Sequence, residues 1–344
     1  MNDRIKTAIV DASLEDDADE VCRRTPPRYL SSVANMPVIA HVIHSLADDG
    51  IENVVIVSNA TMHPKLAPIL LAAEGWGITT TLIATDTGVP LIPRLRQAVG
   101  DLPALVHSGD CLFPEELPRL RSRFCACELD LAVLMRPPAS RESDDVLPAR
   151  GHFQLPREEP QGTAFVVGSD AWPELERLGS DALSVRSVVG LMEEAGGRVG
   201  ASHARQFWCY EKSMDRLLTA NQMLLDALRG TGAAPSDDCV FEGRVAQAPS
   251  ATISRSRVRG PVLIGANAVV EDSFIGPYTS IGPGAVVVGA EIEYTMVLAD
   301  AQVRYPRYPL EASVIGERAV VSQSFGLPAG LHLEIGPDSR VILG

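Results

Sequence analysis

From about residue 238 onward, apolar side chains return every five or six positions, at Val258, Ile264, Val270, Ile275, Ile281 and Val287. Several are followed by a small residue, as in Ile264-Gly265, Ile275-Gly276, Ile281-Gly282 and Ile315-Gly316. Short strands that turn every six residues, with small residues at the corners, build a parallel β-helix. A run of ordinary hairpins is the competing reading. The number of turns that keep the spacing favours the β-helix.

The preceding sequence has a different periodicity. Apolar strand patterns at 5–10, 51–58, 78–84, from 104, 129–135, 163–167 and 198–203 alternate with helical ones. The helical patterns cover 38–49, 65–74, 91–99, 114–125, 172–178, 184–195 and 214–228. Strands alternating with helices of about ten residues predict an α/β domain, its mostly parallel, Rossmann-like sheet covered on both faces. The stretch 136–160, rich in Pro, Arg, Ser and Asp, reads as a long surface loop. Gly and Pro break the last helix at 229–235. The predicted domains are therefore 1–232, α/β, and 233–344, β-helix.

With 344 residues the chain is long enough for two domains, and its net charge of −14 disfavours nucleic acid or an anionic membrane as partner. No apolar run reaches the roughly 18 residues of a transmembrane helix. The start, MNDRIKTAIVDAS, has no signal-peptide core, which predicts a cytoplasmic protein. Cys22, Cys111, Cys125, Cys127, Cys209 and Cys239 show no CxxC pair, so a zinc site is not expected and the thiols read as buried or incidental. His41 and His44 lie three apart on one predicted helix and read as packed or solvated rather than as metal ligands. Trp208 reads as a core residue.

In Pro26–Pro37, PPRYLSSVANMP, Asn35 looks like an N-cap and Pro37 like a first-turn residue of the helix that follows. The stretch resembles PKxLxPVANKP, a signature of the sugar-1-phosphate nucleotidyltransferases. Further resemblance lies in Ser108-Gly109-Asp110, Leu217-Leu218-x-Ala220-Asn221, GPVLIGANAVVEDSFIGPYTSIG and the closing EASVIGERAVVSQSF…LEIGPDSRVIL. Together these resemble the long bacterial form of glucose-1-phosphate thymidylyltransferase. That resemblance implies a nucleotidyltransferase α/β domain followed by a left-handed parallel β-helix. It also implies attack of a sugar 1-phosphate on the α-phosphorus of a nucleoside triphosphate, assisted by magnesium. Asp110 then stands at the magnesium-binding, catalytic position, Arg28 at that of a catalytic lysine, and Trp208 beside the sugar site.

The chain departs from this pattern where the chemistry is concentrated. In place of the phosphate loop GGxGTRL, the first strand runs into Asp11-Ala12-Ser13-Leu14-Glu15-Asp16-Asp17, and no glycine precedes Gly50. Glycines let backbone N–H groups close on phosphates, whereas these carboxylates repel them. Arg23 and Arg24 lie further along and are the candidate replacements as substrate-binding cations. The lysine of NKP is Met36, EKP best matches Gln154-Leu155-Pro156, and the second magnesium aspartate aligns with Tyr210 beside Glu211.

The expected function is a nucleotidyltransferase homologue of dTDP-glucose-like metabolism, acting as a non-catalytic or regulatory nucleotide-sugar-binding subunit. Its expected partners are a nucleotide or nucleotide sugar and copies of itself or an active paralogue, with no nucleic acid and no membrane. By analogy with the thymidylyltransferases, the setting is deoxysugar or secondary-metabolite biosynthesis. The alternative is an active enzyme making an NDP-sugar or NDP-cyclitol with Arg23, Arg24, Arg28 and Asp110, and with Mg2+ as cofactor. A hexapeptide-type acyltransferase needs a histidine base, and 238–331 contains none.

Overall fold

Five residues, TAIVD, start the central sheet as β1 (Thr7–Asp11). The computed structural model describes residues 5–13, 27–135, 164–178, 184–210, 213–230 and 238–323. After β1 come β2 (Ser32–Val33), β3 (Met36–Pro37), α1 (Val38–Asp48), β4 (Asn53–Ser58), α2 (His63–Gly75), β5 (Thr79–Ala84), α3 (Leu91–Val99), β6 (Ala104–Ser108) and β7 (Cys111–Leu112). They are followed by α4 (Leu117–Ala126), β8 (Leu131–Met135), β9 (Ala164–Val167), α5 (Trp172–Leu175), α6 (Val185–Glu194), β10 (Val199–His203), β11 (Trp208–Cys209) and α7 (Met214–Asp226).

Seven of these strands form one sheet in the order β10-β8-β9-β6-β1-β4-β5. All neighbours are parallel except β9, which runs antiparallel to both β6 and β8. The prediction of a mostly parallel sheet therefore holds. Successive side chains of a strand face opposite ways. Ile9, Val55, Val57, Val106 and Val133 pack in one cluster with Ile92 and Leu95 of α3, Trp172 of α5 and Val188 of α6. Ala8, Val10, Val54 and Ile56, one register step away, are equally buried, so both faces are covered. Trp172 adds a hydrogen bond from Nε1 to the Leu102 carbonyl at 3.0 Å, which satisfies the polar edge of a fully buried ring.

The described residues divide into two compact units: 5–13, 27–29 and those between 38 and 209 fall in one, 30–37 and those from 210 onward in the other. The predicted domain boundary at 232/233 lies outside the described residues. Helix α7, which precedes it, shares the second unit with the β-helix.

The second unit winds fifteen short strands into three five-stranded parallel sheets. Along the middle sheet, which begins at Val245–Gln247, the strands Val262–Ile264, Thr279–Ile281, Met296–Val297 and Val314–Ile315 each stack on a strand 16 to 18 residues earlier. Three strands per coil turn that offset into the period near six seen in the sequence. Val258, Ile275 and Ile292 pile up from one sheet, Ile264, Ile281 and Val297 from the second, and Val270, Val287 and Val303 from the third; all are buried. Burying one such side chain contributes roughly 1.5–3 kcal/mol. At one corner the Ser256 and Ser273 hydroxyls accept from the backbone N–H of Ser273 and Ala290, each one coil further on. Helix α7 is held by Asn221, whose side-chain amide donates to the Tyr278 carbonyl at 2.9 Å.

The segment 30–37 corrects one expectation. Asn35 is not an N-cap. Ser32–Val33 pairs antiparallel with Met36–Pro37, and the two-residue loop between them has Ala34 at φ 44° and Asn35 at φ 66°. Two positive φ values in a two-residue hairpin make a type I′ loop, which favours Asn. The Asn35 amide donates to the Ile281 carbonyl at 2.8 Å, and α1 begins at Val38.

Candidate active site

Strands β1 and β6 lie side by side with Asp11 opposite Ser108, so both end at the same edge of the sheet. In open α/β sheets this carboxyl edge is where ligands bind. The Gly109 N–H donates to the Asp11 carbonyl at 2.8 Å and turns the chain toward Asp110. A Cβ on Gly109 would lie 2.9 Å from that carbonyl oxygen, so the close approach requires glycine. Asp110 is buried, and its Oδ1 accepts from the Ser108 hydroxyl and, at 3.2 Å, from the Cys111 thiol.

Asp11 bends back over its own loop. Its Oδ1 accepts from the Ser13 backbone N–H at 2.9 Å and from the Ser13 hydroxyl at 2.6 Å. Burial pushes the Asp11 carboxyl above its ordinary pKa; the two Ser13 bonds pull it down, and nearby Asp110 pushes it up. Next to this pair, His107 is 1% exposed, donates from Nδ1 to the Ser108 carbonyl at 2.5 Å, and meets the Phe113 ring edge-on at 5.3 Å. Burial holds its pKa down at about 4, so the ring is neutral near pH 7.

The two-stranded ribbon β7–β11 covers this corner with Cys111 directly opposite Cys209 and Leu112 opposite Trp208. The sulfurs of Cys111 and Cys209 are 2.6 Å apart, and both residues are buried. Among the described residues, Asp110, Cys111 and Cys209 form the one group whose ligand atoms all lie within 4.8 Å of one another. Magnesium takes oxygen ligands in octahedral geometry, and two sulfurs beside one carboxylate suit a softer ion. The donor set therefore does not fit a magnesium site.

Arg28 opens a 3-10 turn, Arg28–Leu30, whose Tyr29 is buried. Arg23, Arg24, Gln154-Leu155-Pro156, Glu211 and Lys212 lie outside the described residues. Trp208 is 1% exposed, so in this conformation its ring serves packing and offers almost no surface to a sugar. His44 pairs with Asp48 at 3.4 Å and packs edge-on against Trp76. The cysteine pair is the feature that sequence reading missed. Cys111 follows Asp110 directly, but nothing in the chain marks Cys209 as its neighbour until β7 and β11 are paired.

No family profile matches the chain. In pairwise comparison it is 24% identical over 336 residues to a glucose-1-phosphate thymidylyltransferase of Streptomyces antibioticus, covering 92% of this chain and 94% of that protein. It is 26% identical over 342 residues to the enzyme of the same name from Streptomyces griseus, covering 92% and 93%. Against a low-salt glycan biosynthesis nucleotidyltransferase of Haloferax volcanii it is 25% identical over 340 residues, covering 93% and 95%. Along nearly its whole length, then, the chain is similar to sugar-1-phosphate nucleotidyltransferases of the glucose-1-phosphate thymidylyltransferase type, the resemblance that its own motifs carry.

Proposed function

We propose that the chain is a sugar-1-phosphate nucleotidyltransferase homologue of nucleotide-sugar metabolism that binds a nucleotide or nucleotide sugar without turning it over. It acts as a regulatory or structural subunit, assembled with itself or with an active paralogue. The observation that carries this reading is the Asp11–Ser13 contact at the end of β1. There a phosphate loop needs a free backbone N–H and no negative charge. In this chain the Ser13 N–H is already given to the Asp11 carboxyl, and Asp110 lies near enough to raise the pKa of Asp11. A phosphate entering there meets a carboxyl in place of a donor.

Losing a single transition-state donor costs about 10²–10³ in rate. Here a glycine loop, the lysine replaced by Met36 and the metal carboxylate replaced by Tyr210 are all absent from their family positions. Such losses are not additive, but any one of them is already severe.

The test is calorimetric titration with dTTP, UTP, GTP, ATP and dTDP-glucose, with and without magnesium, followed by a pyrophosphate-release assay with glucose 1-phosphate. Binding without pyrophosphate release is the expected result. Magnesium-dependent turnover that disappears in Asp110→Ala overturns the proposal and assigns catalysis to a rearranged site of Arg23, Arg24, Arg28 and Asp110. Absence of binding to every ligand also overturns it.

A further inference from the structure

We propose that Cys111 and Cys209 are an oxidisable pair that closes into a disulfide across the β7–β11 ribbon, directly beside Asp110. The two residues sit opposite one another in an antiparallel pair. Opposed residues in such pairs have Cα atoms about 4.5 or 5.5 Å apart, and disulfides span about 4.4–6.8 Å. No backbone movement is needed. The sulfurs already stand 2.6 Å apart, and a bond at about 2.05 Å needs a closure of about half an ångström. A metal ion asks for the opposite motion. With zinc–sulfur bonds of about 2.3 Å, tetrahedral geometry places two thiolates about 3.8 Å apart, so they would have to separate by more than an ångström. The geometry favours the covalent bond over the metal.

The oxidant we name is hydrogen peroxide, small enough to reach a buried thiol through minor opening of the ribbon. Cys209, 3% exposed against 0% for Cys111, is the first to react. Its thiolate attacks one peroxide oxygen, forming a sulfenic acid and releasing hydroxide, which takes up the proton that the thiol lost. The Cys111 sulfur then attacks the sulfenic sulfur. The S–S bond forms, the S–O bond breaks, and the departing hydroxide leaves as water with the Cys111 proton. Two thiols and one peroxide give one disulfide and two waters, the two electrons passing from sulfur to oxygen. Burial and the neighbouring Cys209 and Asp110 push the Cys111 thiol well above its ordinary pKa, so Cys111 enters this second step as the thiol. The bond also takes away the hydrogen that Cys111 gives to Asp110 Oδ1, leaving Ser108 as the remaining donor of those two.

The experiment treats the full chain with excess hydrogen peroxide, alkylates the remaining thiols after denaturation, and maps tryptic peptides by mass spectrometry without reductant. Trypsin places Cys111 in 97–119 and Cys209 in 206–212, so their linkage reads as one joined species two mass units below the sum of the free peptides. The expected result is that species, reversed by dithiothreitol, together with a melting midpoint raised by about 5–10 °C. Cys111→Ser and Cys209→Ser each abolish it. Alkylation of both residues after oxidation overturns the proposal, as does linkage of either to another cysteine. A zinc ion retained on the untreated protein through dialysis, seen by native mass spectrometry, also overturns it and assigns the pair to metal. None of these readouts depends on nucleotide binding, so the proposed function and this inference stand or fall separately.

Discussion

Gly260→Ala destabilises the β-helix by about 3 kcal/mol or more. A Cβ at this position would lie 2.0 Å from the Arg244 carbonyl oxygen and 2.7 Å from the Arg244 nitrogen. Both obstacles are backbone, so no side-chain rotation relieves them. Nor is Arg244 free to withdraw: its carbonyl accepts from the Val262 N–H at 3.0 Å, and its guanidinium bonds the Asp226 carbonyl at the end of α7. Over-packing a tight site usually costs about 1–3 kcal/mol, and a backbone clash with both partners anchored lies at or above the top of that range. Urea unfolding of the variant is the measurement, with the β-helix transition displaced to lower denaturant. An unchanged midpoint would show that the corner yields more easily than its geometry allows. Gly190→Ala is the control of opposite sign. Gly190 lies inside α6 with nothing within 4 Å of its Cβ position. Replacing it gains about 0.5–1 kcal/mol of helix propensity.

The second large effect is a pair of opposed pH dependences. His107 has its folded pKa depressed to about 4, below the ordinary value of 6.5. Between those values the unfolded chain binds the proton more readily than the native one. Stability is therefore fully present above pH 6.5 and lost as the pH falls toward 4, by roughly 2–3 kcal/mol. Asp49 does the reverse. Burial raises its pKa from 3.8 to about 6, Arg121 pulling it down and Asp48 pushing it up. The native state then holds the proton longer, so stability falls as the pH rises from about 4 to 6. For this partly exposed group the effect is roughly 1–2 kcal/mol. Across the acid range Asp49 offsets part of the His107 loss in the wild type, which leaves a net acid-side loss. His107→Gln flattens the acid-side loss relative to wild type, and Asp49→Asn steepens it while stabilising the protein at pH 7. Slopes of unfolding free energy against pH check both, because a slope is insensitive to lost packing around the His107 ring. Parallel profiles for wild type and His107→Gln would show that the buried imidazole takes no part.

Where periodicity is the cause of structure, the sequence was legible. The recurrence of Ile264, Ile281 and Val270 at steps of six or seventeen is what a three-sided coil makes of one buried position per side. Helix α3 spans Leu91–Val99, as its pattern predicts, because Ile92, Leu95 and Val99 fall on one face. Strand β9 shows where pattern stops short. Its AFVV is buried throughout and so looks like any interior strand. Nothing in those four residues reveals that it runs antiparallel between two parallel neighbours. Asn35 misled because Asn suits both an N-cap and a positive-φ turn, and the choice was made by the pairing of Ser32–Val33 with Met36–Pro37. At the candidate site, Asp110 and the acidic run after β1 were readable from order alone. The Asp11–Ser13 bond and the Cys111–Cys209 contact were not, since the first depends on one rotamer and the second on two strands far apart in sequence.

The uniform offset of the coils bears on how the chain is made. Each β-helix strand finds its partner within 16 to 18 residues, so every loop closed in that region is short and of nearly one size. Closure entropy grows only slowly with loop length, but contacts near in sequence are reached sooner. Stacked repeats of this kind gain stability in nearly equal increments and can grow from any rung. The α/β sheet is under the opposite regime. Thr7 of β1 pairs with Asn53 on one side and with Ala104 on the other. Strand β1 must wait for about a hundred further residues of chain before both its edges are paired, whereas a coil of the β-helix can dock almost as soon as it emerges.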